Sequence, residues 1–282
     1  MTTMMRASFL GLASALILGC GSSDDTADDT ADDTGDDVAD DTGDDTGDDT
    51  TDPGTPTAAR LETLELRDPH LFALGGSFDV TETVNTAIAD AITMDADDPP
   101  DDLLDLSFVL VFRPWDPGAS DGPLDAVVGA DCAAPDGATC TADAAATVVE
   151  ATATNGDATC LAPGAGTTGD YDPPVTTPGG RCFASDGHQV TLTLSGIELT
   201  LDDTRIAGTY SEAGHEVTDG LMLGFISQAA ADATIIPEDV VLVGGDPLSS
   251  LLLDDDLDTG PGGVSGWWFY LNFTASEVTY TE

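Results

Sequence analysis

Six carboxylates crowd the eleven residues Asp95-Ala-Asp97-Asp98-Pro-Pro-Asp101-Asp102-Leu-Leu-Asp105. Held that close they repel one another unless they face water or a hard cation, and calcium, which takes about six to eight oxygen ligands, suits such a loop. Asp95, Asp97, Asp101 and Asp105 are the candidate calcium ligands. A solvated acidic loop is the plainer reading of the same residues. A second acidic loop, Asp254-Asp-Asp-Leu-Asp258-Thr-Gly260, has a similar composition.

Other chemistry is thinly signalled. The histidines are His70, His188 and His215. Gly263-Val-Ser265-Gly266 has its first glycine one place too close for a nucleophile elbow, and His215-Glu216 lacks the second histidine of a zinc-protease helix. A hydrolase built from Ser265 or a threonine with His188 or His215 is the alternative function, since such triads assemble in space. Neither a phosphate loop nor a dinucleotide glycine motif is present; Gly244-Gly245 reads as a turn. Trp268, beside Trp267, is a candidate ligand platform, because an exposed ring stacks on sugar faces; Trp267 reads as core.

These residues sit in a chain whose N-terminus indicates export. Arg6 precedes the apolar run Ala7–Gly19, and Cys20 follows at once. Thirteen residues are too few to cross a bilayer core, which takes about 20 in a helix; residues 1–19 read as a signal peptide. From Ser22 to Thr57 the chain holds 15 aspartates and no basic residue. That composition buries too little surface to offset ordering entropy, so residues 20–57 are expected to form a disordered, extended tether. Its aspartate pairs recur without the alternate spacing of a calcium loop.

Ile17-Leu18-Gly19-Cys20 resembles the lipobox of bacterial lipoproteins. The resemblance implies a diacylglyceryl thioether on Cys20 and a multi-chain anchor that holds the protein stably at a membrane. Gly21, in place of a retaining aspartate, implies outer-membrane or cell-surface placement. The acidic loop from Asp95 looks like a worn version of the Asp-x-Asp-x-Asp-Gly loops of exported bacterial domains, with Pro99-Pro100 displacing an aspartate and the turn glycine. The whole chain resembles the uncharacterised lipoproteins of myxobacteria, through its Asp/Thr/Gly stalk, four further cysteines that suit paired disulfides, and the Gly266-Trp-Trp-Phe-Tyr-Leu-Asn272 stretch.

Residues 58–282 read as one β-rich globular domain. With 39 carboxylates against the five arginines Arg60, Arg67, Arg113, Arg181 and Arg205, it carries about −34, and the chain has no lysine. Long-range repulsion disfavours nucleic acid and anionic polymers and favours cations and cationic partners. Cys132, Cys140, Cys160 and Cys182, even in number and in an exported chain, read as two disulfides. Three pairings are open, and 132 with 140 and 160 with 182 would each close a local loop.

The elements that carry these residues are mostly strands. Leu61, Leu64 and Leu66 mark a short edge-like strand; Leu106 to Arg113 is apolar on both faces, as in the middle of a sheet. Val148–Thr154 reads as another. Val190–Leu194 and Ile197–Leu201 alternate around Ser195-Gly196, as a hairpin does. Trp267, Phe269, Leu271 and Phe273 share one face of a last strand. Helical spacing predicts a helix through Val84, Ile88, Ala91 and Ile92, a second through Leu221, Met222, Phe225, Ile226 and Ala229, and a short third after Pro247. The fold expected is mainly β, a β-sandwich-like domain with a few short helices and disulfide-bearing loops. The function expected is a membrane-anchored, surface-displayed binding or structural lipoprotein, stabilised by calcium and binding a protein or glycan.

Overall fold

The computed structural model describes residues 56–97, 99–194, 197–211, 216–238, 240 and 243–282. Residues 1–55, with Cys20 and most of the segment expected as a tether, lie outside the described residues, as do Asp98 and His215, while Thr57, expected at the tether's end, opens the first strand. Eight of the described strands form one wall, in chain order β1 (Thr57–Asp68), β2 (Phe108–Phe112), β3 (Asp121–Val128), β4 (Thr147–Gly156), β5 (Cys182–Ser185), β6 (Ile197–Tyr210), β7 (Glu216–Ser227) and β8 (Ser265–Thr281). Each pairs antiparallel with the next. β8 then pairs back on β1, from Ala58↔Val278 to Asp68↔Tyr270. The sheet is therefore closed, an up-and-down barrel. The mainly β expectation holds, and its packed layers are opposite walls of one barrel.

An eight-stranded barrel is just wide enough for side chains to fill it. Leu61, Leu64, Phe108, Leu110, Phe112, Leu124, Phe183, Met222, Trp267, Phe269, Leu271 and Phe273 are buried in one continuous cluster that includes the barrel interior. The predicted face of the last strand, Trp267 to Phe273, points into it. β2 is buried at all five positions because its outer residues are covered too. Val109 and Val111 lie with Ala58 and Val127 beneath the loop closed by the Cys132–Cys140 disulfide. On the far wall Leu221, Leu223 and Tyr270 lie against Leu161, Val175 and Trp268, under the loop that begins near the Cys160–Cys182 disulfide. Both local pairings are formed.

β1 is no edge strand. It pairs with β2 only through Thr57–Arg60, so its second half lacks a neighbour on that side. Helix α1 (Thr81–Thr93) fills the gap, burying Ile88 and Ile92 in the main cluster. Asn85 takes the place of a strand there: its Oδ1 accepts from the Leu66 N–H at 2.7 Å and its Nδ2 donates to the Leu66 carbonyl at 3.0 Å. Arg60, buried beside it, donates to the Ile92 and Leu61 carbonyls at 3.0 Å each and to that of Asp136 at 3.3 Å, joining strand, helix and disulfide loop.

The helix expected through Leu221–Ala229 is instead strand β7, and only Gln228–Ala233 is helical (α2), capped by Ser227, whose Oγ accepts from the Ala230 N–H at 3.1 Å. The apolar spacing fits a helix as well as a two-faced strand. What decides it is close packing across the sheet. A Cβ on Gly220 would lie 2.5 Å from the Phe273 ring, and one on Gly224 2.8 Å from the Leu201 Cβ and the Thr204 Oγ1. The third helix is a single 3-10 turn, Leu248–Leu251.

Candidate functional site

The acidic loop leaves α1 at Met94 and enters β2 at Phe108. Main-chain bonds fix both ends: the Asp105 N–H donates to the Met94 carbonyl at 3.2 Å, the Leu106 N–H to Ala91 at 2.8 Å, and the Leu104 N–H to Cys132 at 2.9 Å. Between them the aspartates organise their own backbone. Asp95 accepts from the N–H groups of Asp97 (3.1 Å) and Asp102 (2.7 Å), Asp105 from that of Ala96 (3.0 Å), and Asp101 from that of Leu103 (3.0 Å). Asp102 takes a left-handed φ of 65° to make the turn.

The outcome is a carboxylate group. Oxygens of Asp95, Asp97 and Asp105 all lie within 4.8 Å of one another. Three of the four residues expected as ligands thus converge, while Asp101 stands close enough for its charge to act on Asp97. The Asp97 carboxyl is held above its ordinary value by lost hydration and by the charges of Asp105, Asp101 and Asp95. Oxygen donors without nitrogen or sulfur match a hard cation such as calcium.

Trp268 is half-buried. Its ring leans on Phe225, with centroids 5.4 Å apart, and belongs to the cluster with Leu221, Leu223 and Tyr270 instead of standing clear of the surface. His70 Nδ1 lies 2.6 Å from Asp79 Oδ2, and His188 Nε2 lies 2.9 Å from Asp186 Oδ1. Among the described residues no serine or threonine hydroxyl is hydrogen-bonded to a histidine, and exposed Ser265 pairs only through its main chain with Thr259. The outer wall carries an open groove of about 620 Å³ lined by Asp125, Glu150, Asp186 and Glu282, where Arg113 reaches Asp125 at 2.8 Å and Glu282 at 2.5 Å.

A second polar group is gathered from distant segments: the sequence offered His70 and the acidic loop of Asp256 and Asp258 separately, and nothing in it joined them to Asp68 and Tyr171. Asp68, at the end of β1, is 4 % exposed and accepts from the Gly169 N–H at 2.6 Å. His70 stacks on Tyr171, with centroids 3.7 Å apart, and the Tyr171 hydroxyl donates to Asp256 at 2.5 Å. Burial, with the charges of Asp256 and Asp258, pushes the Asp68 carboxyl up to about 6 against the pull of the Gly169 N–H and of His70. Burial and Asp256 push Asp258 to about 6 as well, although the Trp268 N–H opposes them. The Tyr171 hydroxyl is raised by burial and by its bond to Asp256.

Comparison with known proteins gives no matching family model, no matching curated protein and no matching solved structure.

Proposed function

We propose that the chain is an exported lipoprotein, acylated on Cys20, whose barrel is a surface-displayed binding or structural module carried on an acidic tether and stabilised by calcium at Asp95, Asp97 and Asp105. The observation that carries the binding-module reading is the filled barrel. With the interior occupied by side chains from Leu61 to Phe273, recognition falls to the outer loops. Its interior is apolar, its outward apolar residues such as Val109 and Leu221 lie beneath loops, and carboxylates such as Glu65, Asp125 and Glu150 stand on its outer face, unlike a barrel with a polar interior and an apolar belt facing lipid. Among the described residues no helix is long and apolar enough to cross a membrane. The lipobox and the Gly21 that follows support attachment at the outer membrane. The partner, protein or glycan, is one that tolerates or seeks negative charge.

The test has two arms. In a Gram-negative host fed an alkyne fatty acid, the full chain should take the label and fractionate with membranes, and Cys20→Ser should lose both; a labelled or membrane-bound Cys20→Ser chain would overturn the anchor. For the ion, unfolding temperature is followed as calcium is titrated at fixed high ionic strength against magnesium. A saturable rise specific to calcium, absent in Asp97→Asn with Asp105→Asn, is expected, because a ligand of the folded state stabilises it. Equal responses to the two metals would remove calcium from the reading.

A further inference from the structure

We propose that the peptide bond between Asp68 and Pro69 cleaves itself in the folded protein under mildly acidic conditions, leaving a barrel made of two chains. The chain has six Asp–Pro bonds, following Asp52, Asp68, Asp98, Asp116, Asp172 and Asp246. An aspartyl β-carboxyl can reach its own main-chain carbonyl carbon and close a five-membered ring, and proline's nitrogen is the most basic amide leaving group a chain offers. Such bonds share an intrinsic chemistry, and the fold separates them. Asp116, Asp172 and Asp246 are exposed, whereas Asp68 and Pro69 are both buried.

The step balances within the chain and one water. A carboxyl oxygen of Asp68 forms a bond to the Asp68 carbonyl carbon, the bond from that carbon to the Pro69 nitrogen breaks, and the carboxyl proton goes to that nitrogen. The product is a cyclic anhydride at Asp68 and a free proline N-terminus at Pro69. Water then opens the anhydride to two carboxyls. The reacting form is the protonated carboxyl, and the surroundings of Asp68 maintain it: a buried site faced by Asp256 and Asp258, by the Tyr171 and Tyr270 hydroxyls, and by His70, which is itself tied to Asp79. The Gly169 N–H at 2.6 Å fixes one oxygen and limits rotation of the group, which reduces the entropic cost of ring closure.

Cleavage would not dismantle the barrel. Residues 57–68 stay paired with β8 from Ala58 to Asp68 and with β2 through Thr57–Arg60. On the anchored reading, the fragment bearing Cys20 would then hold the rest of the protein only through strand pairing; the cleavage itself does not depend on that reading.

The experiment incubates the purified full chain at about pH 5 and reads fragments by intact mass. A carboxyl with a pKa of about 6 is protonated at that pH roughly tenfold more often than one at the unfolded-chain value of about 3.9, so Asp68–Pro69 should be cut roughly tenfold faster in the native chain than in the chain unfolded in urea, and ahead of the exposed Asp–Pro bonds. The expected fragments end at Asp68 and begin at Pro69, run together on native size exclusion and separate in denaturant. In urea at the same pH the preference should vanish. Pro69→Ala, which keeps the carboxyl, and Asp68→Glu, which enlarges the ring, should both stay whole at this position. An uncut native chain, cutting without preference, or the same preference in urea would each overturn the proposal.

Discussion

Replacing Asp68 by asparagine should stabilise the protein at neutral pH and leave it unchanged in acid. Asparagine keeps an acceptor for the Gly169 N–H and removes the charge that burial and Asp256 and Asp258 penalise. The carboxyl titrates at about 6 in the folded chain and near the ordinary value of about 3.9 once unfolded. An acid whose folded pKa is raised binds its proton more tightly when folded, so stability is greatest below about pH 4, falls as pH rises through 6, and is level above. A gap of about two units at about 1.4 kcal/mol each sets an upper bound of about 3 kcal/mol. Urea unfolding of Cys20→Ser and of Cys20→Ser with Asp68→Asn, at matched high salt between about pH 4 and pH 8, isolates the effect: general repulsion in a chain of net charge −48 is nearly common to both. The difference should grow from near zero in acid to about 1–3 kcal/mol at neutrality, in favour of asparagine. A loss of stability equal at every pH would mean that the hydrogen bond outweighs the charge, and the reasoning would be wrong.

Asn85→Ala should cost about 1–3 kcal/mol, since it leaves the Leu66 N–H and carbonyl without the partners that complete the edge of β1. Hydrogen exchange at the Leu66 amide should accelerate beyond the global change, and an unaltered rate would show that β1 needs no such cover. Cys160→Ser with Cys182→Ser opens a loop of sequence separation 22, worth about 3 kcal/mol of unfolded-state entropy. A lowered unfolding midpoint by calorimetry checks it, and an unchanged midpoint would mean that the loop is held by its other contacts, among them Asn272, whose Oδ1 accepts from the Thr176 N–H at 2.9 Å, and Asp68, which accepts from the Gly169 N–H.

Legibility followed the distance over which each pattern is written. β2 and β8 could be read because their alternation lies within a few residues: Phe108, Leu110 and Phe112 inward, Trp267 to Phe273 inward. The acidic loop could be read for the same reason, its carboxylates being neighbours in sequence. β3 escaped notice because Gly122-Pro123 and Asp125 interrupt a strand whose inward residues are Leu124, Ala126 and Val128. In β7 the apolar residues satisfied two periods at once, and the deciding contacts, Gly220 on Phe273 and Gly224 on Leu201, are made across the sheet. Barrel closure depends on the pairing of β1 with β8, the first and last strands. The group of Asp68, His70, Tyr171, Asp256 and Asp258 joins three separate segments, and no local spacing announces it.

On the proposed reading of the barrel as a binding module, where recognition can occur follows from what the fold has already used. Closure removes the free edges of the eight-stranded wall itself, leaving the strand His188–Leu194, which pairs with β6 alone among the described strands, and the filled interior removes a chamber. Charge is left, and here the few cations matter. Arg60 is buried against main-chain carbonyls, and its guanidinium is held below its ordinary value by that burial, although Glu62 and Asp136 oppose the shift. Arg113 is engaged by Asp125 and Glu282, Arg67 by Glu65, Arg205 by Asp203, and Arg181 donates to the Pro117 carbonyl at 3.4 Å. Each arginine among the described residues is thus tied to a structural contact, and the carboxylates of the 620 Å³ groove and the loop at Asp95 face outward in excess. A field of one sign draws cations and cationic surfaces and repels anionic ones before contact. That selection acts over about a Debye length and weakens as salt shortens it, so recognition by this barrel should be most discriminating in dilute surroundings and rest on the shape of its loops in concentrated ones.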